Sequence, residues 1–401
     1  MVYQYGMQST NHSTAVFLAS SSFVFLNFGL PMQADEMGLG ALMIGGAYAV
    51  FTGTMLIARP LVGVLLDKFG RRWFFTGAFV FYAVAMFAFA VADGVQGLYL
   101  GRFLQGLGAA LMWVSARTIV ADTTPVQNYG EAMGQLTAIS TRGSMIGGFY
   151  GFTLLGFLPM QTAWYWAFMG YGVLALIALG WSVFFVKESK PQVVETPTEN
   201  ITYGWREIAA NGKLVRALIV VAMAGFATAL IEPVYLLLVK HTYDLPPLTL
   251  ALVFFPAGLV FAFVPRYAGR WADRTGRGRA IATGIVFAAM VGAALPFWPG
   301  LVYVAVSYVL FAVGWAVASP ALDGLVADLS ESGNRGRVIG AKEAAAGFGA
   351  ALGPLAGGFL YEYYASVAPF LFNGVILFAT AILAWWWFGK NEVPSPAGEQ
   401  G

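Results

Sequence analysis

Twelve stretches of about twenty mostly apolar residues run through the chain of 401 residues, and they restrict how it can fold. A helix that crosses about 30 Å of hydrocarbon needs about 20 such residues. The apolar pattern is helical or uniform, without the alternation typical of outer-membrane barrel strands. We therefore predict an all-α integral membrane protein with transmembrane helices at about residues 14–33, 41–62, 73–92, 96–119, 133–156, 164–186, 214–238, 248–266, 280–297, 301–323, 341–360 and 367–388.

Charged residues form only 10% of the chain, against about 25% in soluble domains. This deficit excludes a cytosolic globular enzyme and a disordered chain. A formal net charge of +2 creates no field that would recruit nucleic acid. The chain has no cysteine and two histidines, and no phosphate-binding loop motif. We expect no enzyme activity, no cofactor, no metal site and no nucleic-acid partner.

The Lys and Arg residues of the short loops predict the orientation, because basic loops mark the cytoplasmic face. The loops after predicted helices 2 and 8 are basic, whereas the loops on the opposite side carry only Lys240. Residues 1–13 are polar without a basic start, so helix 1 is expected to be a retained span. We predict a six-helix bundle at 1–186, a cytoplasmic linker at 187–213 and a second bundle with a short tail at 214–401. Both termini would be cytoplasmic, in an inner membrane.

The two halves of the sequence repeat at a constant offset of 206 residues. Seven glycines and three charged residues recur in one register. The pairs are Gly63 and Gly269, Asp67 and Asp273, Gly70 and Gly276, Arg71 and Arg277, Asp122 and Asp328, Gly130 and Gly336, Gly134 and Gly340, Gly143 and Gly349, Gly147 and Gly353, and Gly151 and Gly357. Six helices per repeat give both halves the same orientation in the membrane. Such repeats place a substrate site between the halves, which rock around it.

The repeated loops carry a recognisable motif. Residues 63–72 read Gly-Val-Leu-Leu-Asp-Lys-Phe-Gly-Arg-Arg, and residues 269–277 read Gly-Arg-Trp-Ala-Asp-Arg-Thr-Gly-Arg. Both resemble the signature G-x-x-x-D-[RK]-x-G-R of the major facilitator superfamily, and the resemblance covers essentially the whole chain. It implies two pseudo-symmetric six-helix bundles that transport by alternating access, usually as a monomer.

Two further motifs bear on the kind of transporter. Residues 102–110 are similar to the R-x-x-Q-G-x-G-A-A element of proton-coupled drug exporters. Helix 5 of antiporters usually carries G-x-x-x-G-P-x-x-G-G, but here Gly148 stands where proline is expected. The full pattern appears in predicted helix 11 instead, a departure that concerns the antiporter assignment and not the fold. We expect helix packing at Gly143, Gly147, Gly349, Gly353 and Pro354.

The charged loop residues predict a latch on the cytoplasmic side. We expect Arg71 to bridge Asp67 to Asp122, with Asp67 also near the N-terminus of a neighbouring helix. Gly63 would allow a close helix approach and Gly70 a tight turn. The second copy consists of Gly269, Asp273, Gly276, Arg277 and Asp328. The latch would hold the outward-facing state, and the alternative is that these charges only set the topology.

Charged residues inside a membrane are costly, so each is a candidate for function. Arg102 and Arg142 are specific to the first half, since Tyr308 and Phe348 occupy the repeat-related positions. A fixed cation can hold an anionic group or keep a nearby carboxylate ionised. The alternative for both is a structural arginine bonded to backbone carbonyls.

Glu232, followed by Pro233, is expected to carry the coupling proton, because a carboxyl that moves between buried and arginine-facing positions can load and unload one. Asp323 is the second candidate, and a static ion pair is the alternative for each. We expect the substrate cavity to be lined by Arg102, Arg142, Glu232, Asn27, Trp113 and Tyr308.

Aromatic residues form 16% of the chain, and few Asn and Gln residues lie within the predicted helices. This composition favours a hydrophobic or amphipathic substrate. The sequence predicts a secondary active exporter of such compounds, coupled to protons, in a lipid bilayer. The alternatives are an exporter of sugars or small metabolites, a lipid or lysolipid translocator that uses the arginines for an anionic head group and, more remotely, a sensor that does not transport.

Overall fold

The computed structural model describes residues 2–124, 129–189, 209–243, 245–297, 300–330 and 335–389. It divides into two compact units, Met1–Thr196 and Pro197–Gly401. The division falls inside the range 187–213 that we predicted as a linker, and residues 190–208 of that range lie outside the described part of the chain.

The first unit contains seven helices in its described residues. They are α1 (Val2–Ala19), α2 (Phe23–Glu36), α3 (Ala41–Phe69), α4 (Arg72–Ala90), α5 (Val95–Thr123), α6 (Tyr129–Phe157) and α7 (Met160–Phe185). A 3-10 turn, Ser20–Ser22, joins α1 to α2, so these two helices form the first predicted span. Serine hydroxyls compete with helical backbone bonds, and here Ser20 bonds the Ser140 hydroxyl at 2.8 Å while Ser144 donates to the Ser20 carbonyl at 2.9 Å.

The second unit contains six helices in its described residues. They are α8 (Gly212–Tyr243), α9 (Pro247–Thr275), α10 (Arg277–Ala294), α11 (Leu301–Asp328), α12 (Arg335–Tyr363) and α13 (Ala368–Phe388). A 3-10 turn, Leu295–Phe297, extends α10. Prolines interrupt the backbone ladder inside α8, α9, α11 and α12, at Pro233, Pro256, Pro265, Pro320 and Pro354.

The helices confirm the predicted fold class. Ten helices in the described part of the chain are long and apolar enough to cross a membrane. The other two predicted spans correspond to α6 and α9, each of 29 residues. At 1.5 Å per residue such a helix is longer than about 30 Å of hydrocarbon. The twelve predicted spans therefore all fall on helices.

Glycines bring the same two helices together in each unit. A Cβ on Gly143 or Gly147 of α6 would collide with the backbone of the first span, at the carbonyls of Phe17 and Ser21. In the second unit, a Cβ on Gly349 or Gly353 of α12 would collide with the α8 backbone, at Ala222 and Phe226. Small residues allow helix backbones to approach closely where no hydrophobic force drives association. Each unit thus contains a glycine-lined helix pair at positions related by the repeat.

Candidate functional site

The first loop signature turns the chain sharply between α3 and α4. Gly70 has a φ of 95°, a conformation that glycine adopts without penalty, and its N–H bonds the Leu66 carbonyl at 3.0 Å. Arg71 follows at once and donates from Nη1 to the same Leu66 carbonyl at 3.1 Å. The turn therefore fixes the position of the arginine that the signature supplies.

Arg71 and Asp122 form a buried ion pair. Arg71 Nε lies 2.9 Å from Asp122 Oδ2, and the two side chains are 9% and 12% exposed. Asp122 stands at the end of α5 and also accepts from the Ser189 hydroxyl at 3.2 Å. The pair thus connects the start of α4, the end of α5 and the segment after α7.

Glu188 is a functional candidate that the sequence reasoning missed. Its carboxylate accepts the backbone N–H of Arg71 at 2.8 Å and that of Arg72 at 3.2 Å. These N–H groups begin α4, where a helix has free donors and a positive dipole end. The available signal in the sequence was an acidic residue three positions after Phe185, the last residue of α7. Arg72 Nη2 adds a bond to the Val183 carbonyl at 2.7 Å, so the end of α7 is held on the start of α4.

The second loop signature forms a similar but more exposed pair. Gly276 has a φ of 95°, like Gly70. Arg277 pairs with Asp328 through Nε and Oδ2, with Nη2 at 3.4 Å from Oδ1. Their side chains are 26% and 55% exposed. Arg277 lies directly over Gly324, where a Cβ would collide with its guanidinium.

Four other signature residues have different outcomes. The side chains of Asp67 and Asp273 lie outside the described part of the structure, so their bonds to Arg71 and Arg277 stay predictions. A Cβ on Gly63 would meet no atom within 4 Å, and the close helix approach that we expected there stays a prediction. A Cβ on Gly269 would reach only Pro320, at 3.9 Å.

Arg102 is enclosed by the first unit. It is 1% exposed, its guanidinium lies 4.7 Å from the Tyr48 ring centroid and 5.5 Å from that of Phe51, and Nη1 donates to Gln105 Oε1 at 3.1 Å. Cation–π contacts of this kind strengthen when they are desolvated. The Tyr48 hydroxyl also donates to the Asn27 carbonyl at 2.6 Å. Arg102 therefore joins α3 to α5, and Tyr48 extends the cluster to α2.

Arg142 has the opposite environment. It is exposed near the middle of α6, on the side away from the packed Gly143 and Gly147. An arginine that faced hydrocarbon at this depth would be costly, so such a residue faces water or polar groups instead. Trp113 of α5 is half-buried, and Arg117 lies 5.7 Å from its ring centroid.

In the second unit, Glu232 and Tyr308 lie within electrostatic range of each other. Glu232 is exposed on α8, next to the buried Pro233. Tyr308 lies on α11. The Tyr308 ring stacks on Tyr235 with centroids 4.9 Å apart and planes at 12°, and the Tyr235 hydroxyl donates to the Val304 carbonyl at 3.3 Å. An exposed carboxylate thus lies within electrostatic range of an aromatic pair that joins α8 to α11.

Asp323 has an ion-pair partner. Its carboxylate pairs with the ammonium group of Lys342 on α12, and the two side chains are 56% and 22% exposed. Glu343 lies 3.8 Å from the same ammonium group. Asp323 therefore ties α11 to α12, which is the static ion pair that we kept as the alternative to proton coupling.

These features define a class of protein. Two helical units with a repeated charged loop, glycine-packed helix pairs and charged side chains within apolar helices are the features of a multi-pass membrane transporter. The Major Facilitator Superfamily model matches residues 13–330 and 267–401. The chain belongs to this family, whose members are transporters and not enzymes.

Individual relatives agree with this assignment. The chain is 25% identical to Multidrug resistance protein 2 of Bacillus subtilis over 399 residues, which cover 96% of the chain and 98% of the relative. It is 21% identical to Quinolone resistance protein NorA of Staphylococcus aureus, over 90% of the chain and 92% of the relative. Among solved structures, the nucleoside transporter NupG aligns with a TM-score of 0.75 at 15% identity, covering 96% of the chain and 98% of NupG.

Proposed function

We propose that the protein exports hydrophobic or amphipathic small molecules by alternating access, in exchange for protons. The observation that carries this proposal is Glu232, an exposed carboxylate within a 32-residue apolar helix. An ionisable group at such a depth is costly and marks an ion or substrate pathway. Similarity to multidrug and quinolone resistance proteins over nearly the whole chain supports export of drug-like compounds.

The orientation belongs to the same proposal. The basic loop signatures at residues 63–72 and 269–277 lie on the cytoplasmic face, together with both termini, in the cytoplasmic membrane. The protein acts as a monomer, and its latches, Arg71–Asp122 and Arg277–Asp328, hold the loop of each unit against the end of α5 and of α11, respectively. In this proposal, Asp323 stabilises the packing of α11 on α12 through its ion pair, and Glu232 carries the proton.

Transport in proteoliposomes tests the coupling. The probe is ethidium, and a pH-sensitive dye trapped inside the vesicles reports proton movement. We expect an imposed pH gradient to drive ethidium flux, and Glu232→Gln to abolish the gradient dependence. The matched control is Glu362→Gln, an exposed acid at the end of α12, which should leave flux unchanged. Flux that ignores the gradient, or wild-type coupling in Glu232→Gln, would refute proton exchange through Glu232.

Arg142 favours one second candidate, the translocation of an anionic lipid or lysolipid. An exposed guanidinium at mid-helix suits a phosphate head group. The same vesicles, loaded with a fluorescent lysophospholipid, separate the candidates. If the lysophospholipid crosses the membrane at a rate that depends on its head group, and ethidium does not cross, lipid translocation is supported and drug export is refuted.

A further inference from the structure

A cavity lies in the first unit, at the end opposite to the loop signature. It has a volume of about 370 Å³, within the roughly 300–1,000 Å³ of small-molecule sites. Its walls come from the end of α2, the end of α4 with the loop that follows it, and the start of α7. The lining residues used below are Gln33, Asp93, Gln161, Thr162, Trp164 and Tyr165.

Gln33 marks this cavity as a binding site. It is 3% exposed, and its side-chain carbonyl oxygen has no hydrogen-bond partner. A buried polar group without a partner destabilises a fold, so such groups are rare and usually have a ligand or a structural role. Because Gln33 lines the cavity, a molecule inside it can supply the missing hydrogen bond.

The charge of the cavity is negative. Asp93 is the one charged residue among those that line it, and the loops 37–40, 91–94 and 158–159 at this end contain no Lys or Arg. The C-termini of α2 and α4 and the N-termini of α5 and α7 each add about half a charge, two of each sign, so they largely offset one another. The full charge of Asp93 therefore decides what the cavity attracts.

Aromatic rings complete the lining. Trp164 is 1% exposed: its indole N–H donates to the Phe89 carbonyl at 2.6 Å and its ring packs on Phe168 with centroids 4.3 Å apart, so it forms a fixed part of the wall. Tyr165 is 39% exposed at the same wall. Tryptophan and tyrosine rings attract cations through their π faces.

We propose that this cavity binds a small organic ammonium cation. Asp93 balances its charge, the Gln33 carbonyl accepts one of its N–H groups, and the exposed ring of Tyr165 contacts its carbon atoms. Two sources share this chemistry: an exported compound on its way out, which rests on the proposed function, or an external amine that modulates the protein.

Equilibrium dialysis of the purified full chain against radiolabelled benzylammonium tests the proposal. Benzoate and benzyl alcohol, which have a similar size, serve as anionic and neutral comparators. We expect benzylammonium to bind at least about tenfold more tightly than either, because only it carries the charge that Asp93 attracts. Asp93→Asn and Gln33→Leu should each weaken binding about fivefold. Glu36→Gln removes an exposed acid at the same end of the unit but outside the cavity lining, and should change binding less than about twofold.

Equal binding of benzoate, or unchanged affinity in both Asp93→Asn and Gln33→Leu, would overturn the proposal. Asp93 is exposed, so its variant is a valid test even where Gln33→Leu fails to fold. Ethidium efflux from proteoliposomes then distinguishes the two sources: slower efflux in Asp93→Asn supports an export path, and unchanged efflux with weaker benzylammonium binding supports a modulator site. A chain that binds benzylammonium but transports nothing would refute the proposed function and leave this site standing.

Discussion

The two Arg–Asp ion pairs differ mainly in burial, so the same substitution should have unequal costs in the two units. The Arg71 and Asp122 side chains are 9% and 12% exposed, whereas those of Arg277 and Asp328 are 26% and 55% exposed. Loss of one partner from a buried pair leaves an uncompensated charge and costs about 3–5 kcal/mol. Loss of one partner from an exposed pair costs about 0.2–1 kcal/mol.

The expected shifts in melting temperature follow from these costs. In a unit of the size of Met1–Thr196, a change of about 1 kcal/mol moves Tm by roughly 2–4 °C. If the loss of Asp122 costs about 3 kcal/mol, the lower end of the range for a buried pair, Asp122→Ala should lower Tm by about 6–12 °C. Asp328→Ala should lower it by less than about 4 °C.

The measurement is intrinsic tryptophan fluorescence of the purified protein in detergent, at one fixed heating rate, because unfolding of such proteins is often irreversible. Because Asp122 and Asp328 occupy equivalent positions in the repeat, Asp122→Ala and Asp328→Ala serve as controls for each other. Removal of both charges, in Arg71→Met with Asp122→Ala, should recover part of the loss, since the pair then leaves no buried charge. Equal Tm losses in the two units, or no recovery in the double variant, would contradict the argument from burial.

Two further predictions concern the helix ends and the packed glycines. Glu188→Ala removes the acceptor of two α4 N–H groups and should cost about 0.5–2 kcal/mol, read as a lower Tm, while Glu188→Gln should cost less; equal Tm values would refute the capping role. Gly147→Val should reduce the monodisperse fraction in size-exclusion chromatography, because its Cβ collides with the Ser21 carbonyl. Gly134→Val on the same helix is its control, since a Cβ there meets no atom within 4 Å, and an equal loss in both would refute steric packing.

Most of the fold was predictable because each span is a local property. About twenty apolar residues in a row define a transmembrane helix without any knowledge of its neighbours. The turns at Gly70 and Gly276 were also predictable, since a left-handed backbone favours glycine. The helix that would face Gly63 was not, because packing depends on which helix lies opposite and a glycine alone does not specify it.

The burial of the candidate site could not be predicted from the sequence. Arg102 and Arg142 both lie within predicted transmembrane helices, yet Arg102 is 1% exposed and Arg142 is exposed. The difference comes from Tyr48 and Phe51 on another helix. Likewise, Glu188 lies 117 residues from Arg71 in the chain, so no local pattern joins them.

The unequal burial of the two ion pairs also makes them respond differently to dissolved salt. At physiological ionic strength, mobile ions screen exposed charges over about 8 Å, whereas buried charges are screened much less. The Arg277–Asp328 contact should therefore weaken as the surrounding salt concentration rises, while Arg71–Asp122 keeps its strength. One sequence motif, present twice, thus produces one contact that follows the ionic composition of its surroundings and one that is insulated from it.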